Sequence, residues 1–163
     1  MPRETVPPEP VVELRDGWEA LVREWARRRG EPVHTEDGAL YLETRTGDPS
    51  APRLTVDVSR AAGSLVVAVT DGTLVPSDRL APTAAAATAW NAHEVTPAAV
   101  LGDARSDEPL LSAVLALPLV CHLTATGFAT TLDALLDRSV RLLRECHDLG
   151  FVLRSTDDLA SPE

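Results

Sequence analysis

The chain has 163 residues, a formal net charge of −10, 44% hydrophobic residues and only 4% aromatic residues. A chain of this length can form one domain with its own core, which the low aromatic content requires to be built mainly from Leu, Val and Ala. The negative charge repels phosphate backbones and anionic lipids, so we expect neither a nucleic-acid partner nor a membrane partner.

The first ten residues are rich in Pro and Glu and contain no apolar segment, which predicts a disordered lead and no secretion signal. The longest apolar run, residues 110–121, is interrupted by Ser112 and Pro118 and is too short to span a bilayer. Together these features predict a cytoplasmic protein.

The first predicted helix covers residues 11–29. Trp18, Leu21, Val22 and Trp25 recur at the spacing of helical turns and form one apolar stripe. We expect both Trp side chains to lie in the core, because such a stripe faces the rest of the domain. Three consecutive Arg residues at the end of this helix predict a solvated cap at the negative end of the helix dipole.

Three strands are predicted after this helix, near residues 40–45, 53–58 and 65–69. The first two alternate apolar with polar side chains, which is typical of strands with one buried face. The third is apolar on both faces, which predicts a central position in a sheet. The turns between these strands are short, so we expect antiparallel pairing.

The second half of the chain predicts an Ala-rich helix at residues 83–94, strands at 98–102 and 110–122, and a third helix. The last strand is apolar on both faces, and the proline within it indicates an edge or a bulge. The third helix is predicted to begin near Thr130, at a spacing similar to a capping box, and to end at Gly150.

The resulting order is α-β-β-β-α-β-β-α, and antiparallel strands segregated from helices in this way indicate an α+β fold. The chain shows no internal repeat and no second domain. We expect a disordered lead at residues 1–10, a single domain at residues 11–150 and a short tail at residues 151–163.

Four short motifs mark the boundaries of these elements. They are Asp37-Gly38 before the first strand, Ala89-Trp90-Asn91 at the end of the second helix, Pro97-Ala98-Ala99-Val100 at the start of the next strand, and Gly127-Phe128-Ala129-Thr130-Thr131-Leu132 before the last helix. Together with the element order, the motifs resemble the YbjN family, whose members are similar in fold to type III secretion chaperones. The resemblance covers residues 11–149.

The resemblance implies a role without catalysis. Relatives of this kind are described as chaperone-like or as regulators of signalling, and secretion chaperones are typically dimers that wrap extended segments of a partner protein. One departure from the family pattern is that strand 110–122 is apolar on both faces, which predicts that a partner covers one of them.

Two Cys-His pairs, Cys121-His122 and Cys146-His147, are the candidates for a metal site or a catalytic thiol. Neighbouring residues on a strand point to opposite faces, so the first pair should diverge. Cys146 lies on the apolar stripe of the last helix, which predicts a buried and unreactive thiol. We therefore predict no metal, no catalytic residue and no cofactor.

The Ala-rich second helix ends in Trp90 and Asn91, for which two interpretations remain open. Trp90 either fills the core, with Asn91 bonded to the helix end or the next turn, or anchors a dimer or partner surface. The second interpretation places interface residues on this helix and on strand 110–122, namely Ala86, Trp90, Asn91, Val114 and Val120.

The sequence therefore predicts a non-enzymatic protein-binding module, chaperone-like or regulatory, that acts as a homodimer. The alternative is a regulatory domain in signal transduction that senses a small molecule. That alternative requires a closed apolar pocket with a few polar groups on the concave side of the sheet.

Overall fold

The computed structural model describes residues 6–102 and 109–159, and side chains are described as far as Asp148. The elements in chain order are β1 (Val11–Glu13), α1 (Leu14–Arg29), β2 (His34–Glu36), β3 (Ala39–Thr44), β4 (Leu54–Ala61), β5 (Ser64–Thr70), α2 (Leu80–His93), β6 (Ala98–Leu101), β7 (Leu111–Pro118), β8 (His122–Thr124) and α3 (Ala125–Leu159). One turn of 3-10 helix, Ser77–Arg79, precedes α2.

Six strands form an antiparallel sheet in the order β2-β3-β4-β5-β7-β6, and β1 pairs with β8 in a separate two-stranded sheet. The helices pack against β3, β5, β6 and β7. The predicted α+β fold with antiparallel strands is confirmed. The structure adds β1, β2 and β8, which are three residues long and therefore too short to show a periodic sequence pattern.

The core lies between the helices and one face of the large sheet. The strands contribute alternate side chains to it, namely Leu40, Leu42, Leu54, Val56, Val58, Leu65, Val67, Val69, Leu111 and Ala113. Trp18 and Trp25 of α1 are buried in the same core, as their positions on the apolar stripe predict. Since burying one aliphatic side chain stabilises the fold by roughly 1.5–3 kcal/mol, this layer is the main source of stability.

The predicted strand 110–122 is interrupted after Pro118. Its neighbour β5 begins at Ser64, directly opposite Pro118, and one further bond, from the Leu119 N–H to the Gly63 carbonyl over 3.0 Å, ends the pairing at the turn between β4 and β5. The chain turns there, and the Cys121 N–H donates to the Pro118 carbonyl over 3.0 Å. The chain then resumes as β8, which pairs with β1 and not with the large sheet.

The first helix begins three residues later than predicted, because residues 11–13 form β1. The N–H groups of Leu14 and Arg15 donate to the carbonyls of Cys121 and Leu119, each over 2.9 Å. These bonds satisfy two of the amides that the first turn of a helix leaves without partners. The turn between β7 and β8 therefore also fixes the start of α1.

Helix α3 begins at Ala125 and not near Thr130. The Gly127 N–H donates to Thr124 Oγ1 over 3.0 Å, so Thr124 is the N-cap residue. The Thr130 hydroxyl instead donates to the Thr126 carbonyl inside the helix. The predicted capping position is wrong because two threonines at similar spacing precede the apolar stripe, and the earlier one caps it.

The predicted end of the third helix at Gly150 is also wrong, since α3 continues to Leu159. Of the predicted lead, residues 1–5 lie outside the described part of the chain, and residues 6–10 form neither helix nor strand. Residues 160–163 of the predicted tail also lie outside the described part.

The reversal from β1 into α1 brings Val12 against Gly17 in the first turn of the helix. A Cβ atom added at Gly17 would stand 1.9 Å from Val12 Cγ1, far inside van der Waals contact. Alanine within a helix is favoured over glycine by about 0.5–1 kcal/mol, whereas overpacking costs about 1–3 kcal/mol. The steric effect should therefore outweigh the helix propensity at this position.

We predict that Gly17→Ala lowers the free energy of unfolding by about 1–2 kcal/mol in urea denaturation, because the added methyl group displaces β1. In a Val12→Ala background the same substitution should be neutral or slightly stabilising, since the clash is gone. If Gly17→Ala stabilised the wild-type and the Val12→Ala proteins equally, the close contact between Val12 and Gly17 would be contradicted.

Candidate functional site

The second face of the large sheet, which we name the open face, points away from the core. Its described side chains on β3 to β7 are half-buried or exposed, whereas their neighbours along each strand are largely buried under the helices. The helices therefore cover only one side of the sheet. The open face is the surface that the fold leaves for other contacts.

Six apolar side chains lie together on the open face. They are Val66, Ala68, Ala98, Val100, Val114 and Ala116, and we name this group the apolar half-face. Ala68 and Ala98 stand opposite Val114 on its two sides, and Val66 stands opposite Ala116. Since Cβ atoms of directly opposed residues lie about 5 Å apart, five of these residues form one continuous patch. Val100, which stands opposite Ser112, extends the patch along β6. Val100, on the outermost strand, is 45% exposed.

The other half of the open face, on β3 and β4, is polar. Its side chains are Tyr41, Glu43, Thr55, Asp57 and Ser59. Glu43 pairs with Arg53 over 2.8 Å, and the His34 ring stacks on Tyr41 with 5.1 Å between centroids. The open face therefore changes from polar to apolar between β4 and β5, and this change limits the apolar half-face on one side.

Two of the predicted interface residues, Ala86 and Trp90, are buried where α2 packs. The Trp90 side chain is 6% exposed, and its indole N–H donates to the Pro97 carbonyl over 2.8 Å. The Arg141 guanidinium lies over the Trp90 ring, 5.1 Å from its centroid. Trp90 therefore fills the core, and the interface role predicted for these two residues has no exposed surface through which to act.

Asn91, a third predicted interface residue, is bonded to strand β6. Its side-chain N–H group donates to the Ala99 carbonyl over 2.9 Å, and its side-chain carbonyl accepts the Ala99 N–H over 2.7 Å. The sequence pointed to the helix end or the next turn as its partner. The partner is instead the strand that follows, because the connection between α2 and β6 is short and returns the strand alongside the helix end.

The remaining two predicted interface residues lie at the surface. Val114 occupies the centre of the apolar half-face, and Val120 is 59% exposed in the turn after β7. The structure therefore does not gather the five predicted residues on one surface, and an interface role for Val114 and Val120 stays a prediction.

Sequence reasoning missed the other five members of the apolar half-face. Residues 65–69 are apolar on both faces, which predicts a central strand, and the position of β5 in the sheet confirms this prediction. The same pattern also indicates an apolar outer face, and combining it with the doubly apolar strand β7 beside it identifies the patch. The neighbouring relation of β5 and β7 is long-range and is not visible in the sequence.

The two Cys-His pairs lie on different elements and have different surroundings. His122, in β8, lies 3.9 Å from Glu13, and His147, in α3, lies 3.8 Å from Asp71. Within the described residues, no three His, Cys, Asp or Glu side chains come together as metal ligands would. Burial, with a smaller effect of nearby Glu145, raises the pKa of the Cys146 thiol from its ordinary 9.0 to about 11.

We predict that Cys146 reacts with iodoacetamide about 100-fold more slowly in the folded than in the unfolded chain, since two pKa units separate the thiols. The raised pKa stabilises the fold below pH 9, and this contribution is lost as the pH rises from 9 towards 11. Peptide mass spectrometry measures the rates. Equal rates in folded and unfolded chains would contradict the buried thiol.

The three consecutive Arg residues at the end of α1 have two different environments. Arg27 and Arg28 pair with Glu24 at the surface, and these hydrogen bonds lower the pKa of Glu24 to about 2. Arg29 instead donates to Thr44 Oγ1 in β3 and to Asp133 of α3. The predicted solvated cap is therefore formed by Arg27 and Arg28, whereas Arg29 of α1 connects this helix to β3 and α3.

No protein-family model matches the chain, and no curated protein matches it. Among solved structures, the chain is similar to YbjN from E. coli, which is described as a putative transcription regulator. The two structures superpose with a TM-score of 0.63 and 18% identity, over 82% of this chain and 93% of YbjN. This similarity shows a shared fold and confirms the resemblance that the motifs indicated. No described helix is long and apolar enough to cross a membrane.

Proposed function

We propose that the chain is a non-enzymatic protein-binding module, chaperone-like or regulatory, that acts as a homodimer. The observation that carries this proposal is the apolar half-face, which lies on the side of the sheet that the helices do not cover. Burying apolar surface is favourable by about 25 cal/mol per Å². Contiguous exposed apolar patches rimmed by polar residues are typical of protein interaction sites.

The shape and charge of the open face favour a second copy of the chain as the partner. Small Val and Ala side chains make a flat surface, and two such sheets can pack about 10 Å apart. A two-fold axis that lies in the interface, parallel to the strands of the apolar half-face, would bring the two patches together and place the polar halves at opposite ends. Carboxylates such as Glu43 and Asp57 of the two copies would then not face one another.

A regulatory role without chemistry is consistent with the rest of the molecule. YbjN from E. coli is described as a putative transcription regulator, and we extend a regulatory role to this chain. The net charge of −10 opposes direct contact with a phosphate backbone, so we propose that the chain acts through protein contacts in the cytoplasm. The high pKa of Cys146 argues against a thiol nucleophile at that position.

We predict that Val114→Arg weakens self-association at least about tenfold, because an unpaired charge would be desolvated at the centre of the interface. Thr55→Arg adds the same charge to the polar half of the same face, where Thr55 stands between Glu43 and Thr70, and should leave association within about twofold of wild type. Sedimentation equilibrium measures both dissociation constants. A monomeric wild-type protein would refute the homodimer, and equal effects of the two substitutions would refute its location.

The second candidate function, small-molecule sensing, is favoured by a groove of about 360 Å³ between α3 and the β6–β7 region. It is lined by apolar residues such as Leu115 and Leu135, by three threonines and by one charged residue, Arg138. It lies on the helix side of the sheet and not on the open face. A metabolite that raises the melting temperature of wild type, but not of Leu115→Trp, would support this function; no shift across a broad panel would contradict it.

A further inference from the structure

Strand β6 is the last strand of the large sheet, so one of its edges has no neighbouring strand in the part of the chain that the structure describes. Along an antiparallel edge strand, alternate residues direct their N–H and C=O groups outwards. The Gly102 N–H donates to the Leu110 carbonyl, so Gly102, Val100 and Ala98 are the residues whose backbone groups face β7. The residues that alternate with them, among them Pro97 and Ala99, therefore direct their backbone groups outwards.

Side chains from the end of α2 occupy both of these outward positions. The Trp90 indole donates to the Pro97 carbonyl, and the Asn91 amide makes both a donated and an accepted bond with Ala99, at 2.9 and 2.7 Å. The Asn91 amide thus forms the same pair of bonds that a residue of a neighbouring strand would form. The consecutive Trp and Asn of the sequence motif are both used to cover one strand edge.

An uncovered strand edge is a template for another strand, and proteins limit such pairing by covering or charging the edge. The rest of β6 offers little other protection, because its sequence Ala98–Leu101 is uncharged and apolar. We infer that Asn91 is a latch that keeps the β6 edge closed, and that opening it allows β6 to pair with β6 of a second copy. This edge is distinct from the apolar half-face.

The test replaces Asn91 in a Val114→Arg background, so that association through the apolar half-face does not mask pairing at the edge. Asn91→Ala should accelerate hydrogen exchange of the Ala99 amide at least about fivefold, the change that the loss of one hydrogen bond of about 1 kcal/mol produces. It should also produce concentration-dependent association in sedimentation velocity. Asn91→Leu, which keeps the bulk but not the bonds, should behave in the same way if Asn91→Ala does not fold.

One control separates the latch from general destabilisation. Val22→Ala removes core volume in α1, far from β6, and should lower stability without association. An unchanged exchange rate at Ala99 in Asn91→Ala, or faster exchange without association, would overturn the inference.

Discussion

The structure depends on the packing of three helices against a single face of one antiparallel sheet. The strands alternate in burial, so every strand that supplies side chains to the core also presents side chains to the opposite side. The helices close the core on the face that they cover. The turn after β7 accepts the backbone hydrogen bonds from the first residues of α1 and so fixes where this helix begins. The open face follows directly from this arrangement.

The composition of the open face gives the fold its proposed role. On β3 and β4 the outward side chains are mostly polar, as expected for a solvated sheet, whereas on β5, β7 and β6 most of them are Val and Ala, with Ser112 opposite Val100. Solvation alone does not require apolar residues at outward positions of three adjacent strands. The proposed covering partner would account for them. It would not pair with β6 at the edge positions that Trp90 and Asn91 occupy.

Long elements with a periodic pattern could be predicted from the sequence. The apolar stripe of α1, the alternation in β3 and β4, and the Asp37-Gly38 turn, whose residues both have positive φ, appear in the structure. The break at Pro118, the short strands and the cap at Thr124 depend on which segments meet in space. The candidate site depended on such long-range pairing as well, so the sequence pointed to Val114 but not to the neighbours that surround it.

The most direct measurement is methyl NMR with a soluble gadolinium chelate, recorded at high and at low protein concentration. If copies of the chain cover the apolar half-face, the methyl groups of Val66, Val100 and Val114 will be shielded in the concentrated sample and relax faster on dilution. Val95, which is 93% exposed, and Val67, which is buried, should show no change. Equal relaxation of the three patch residues at both concentrations would contradict the account.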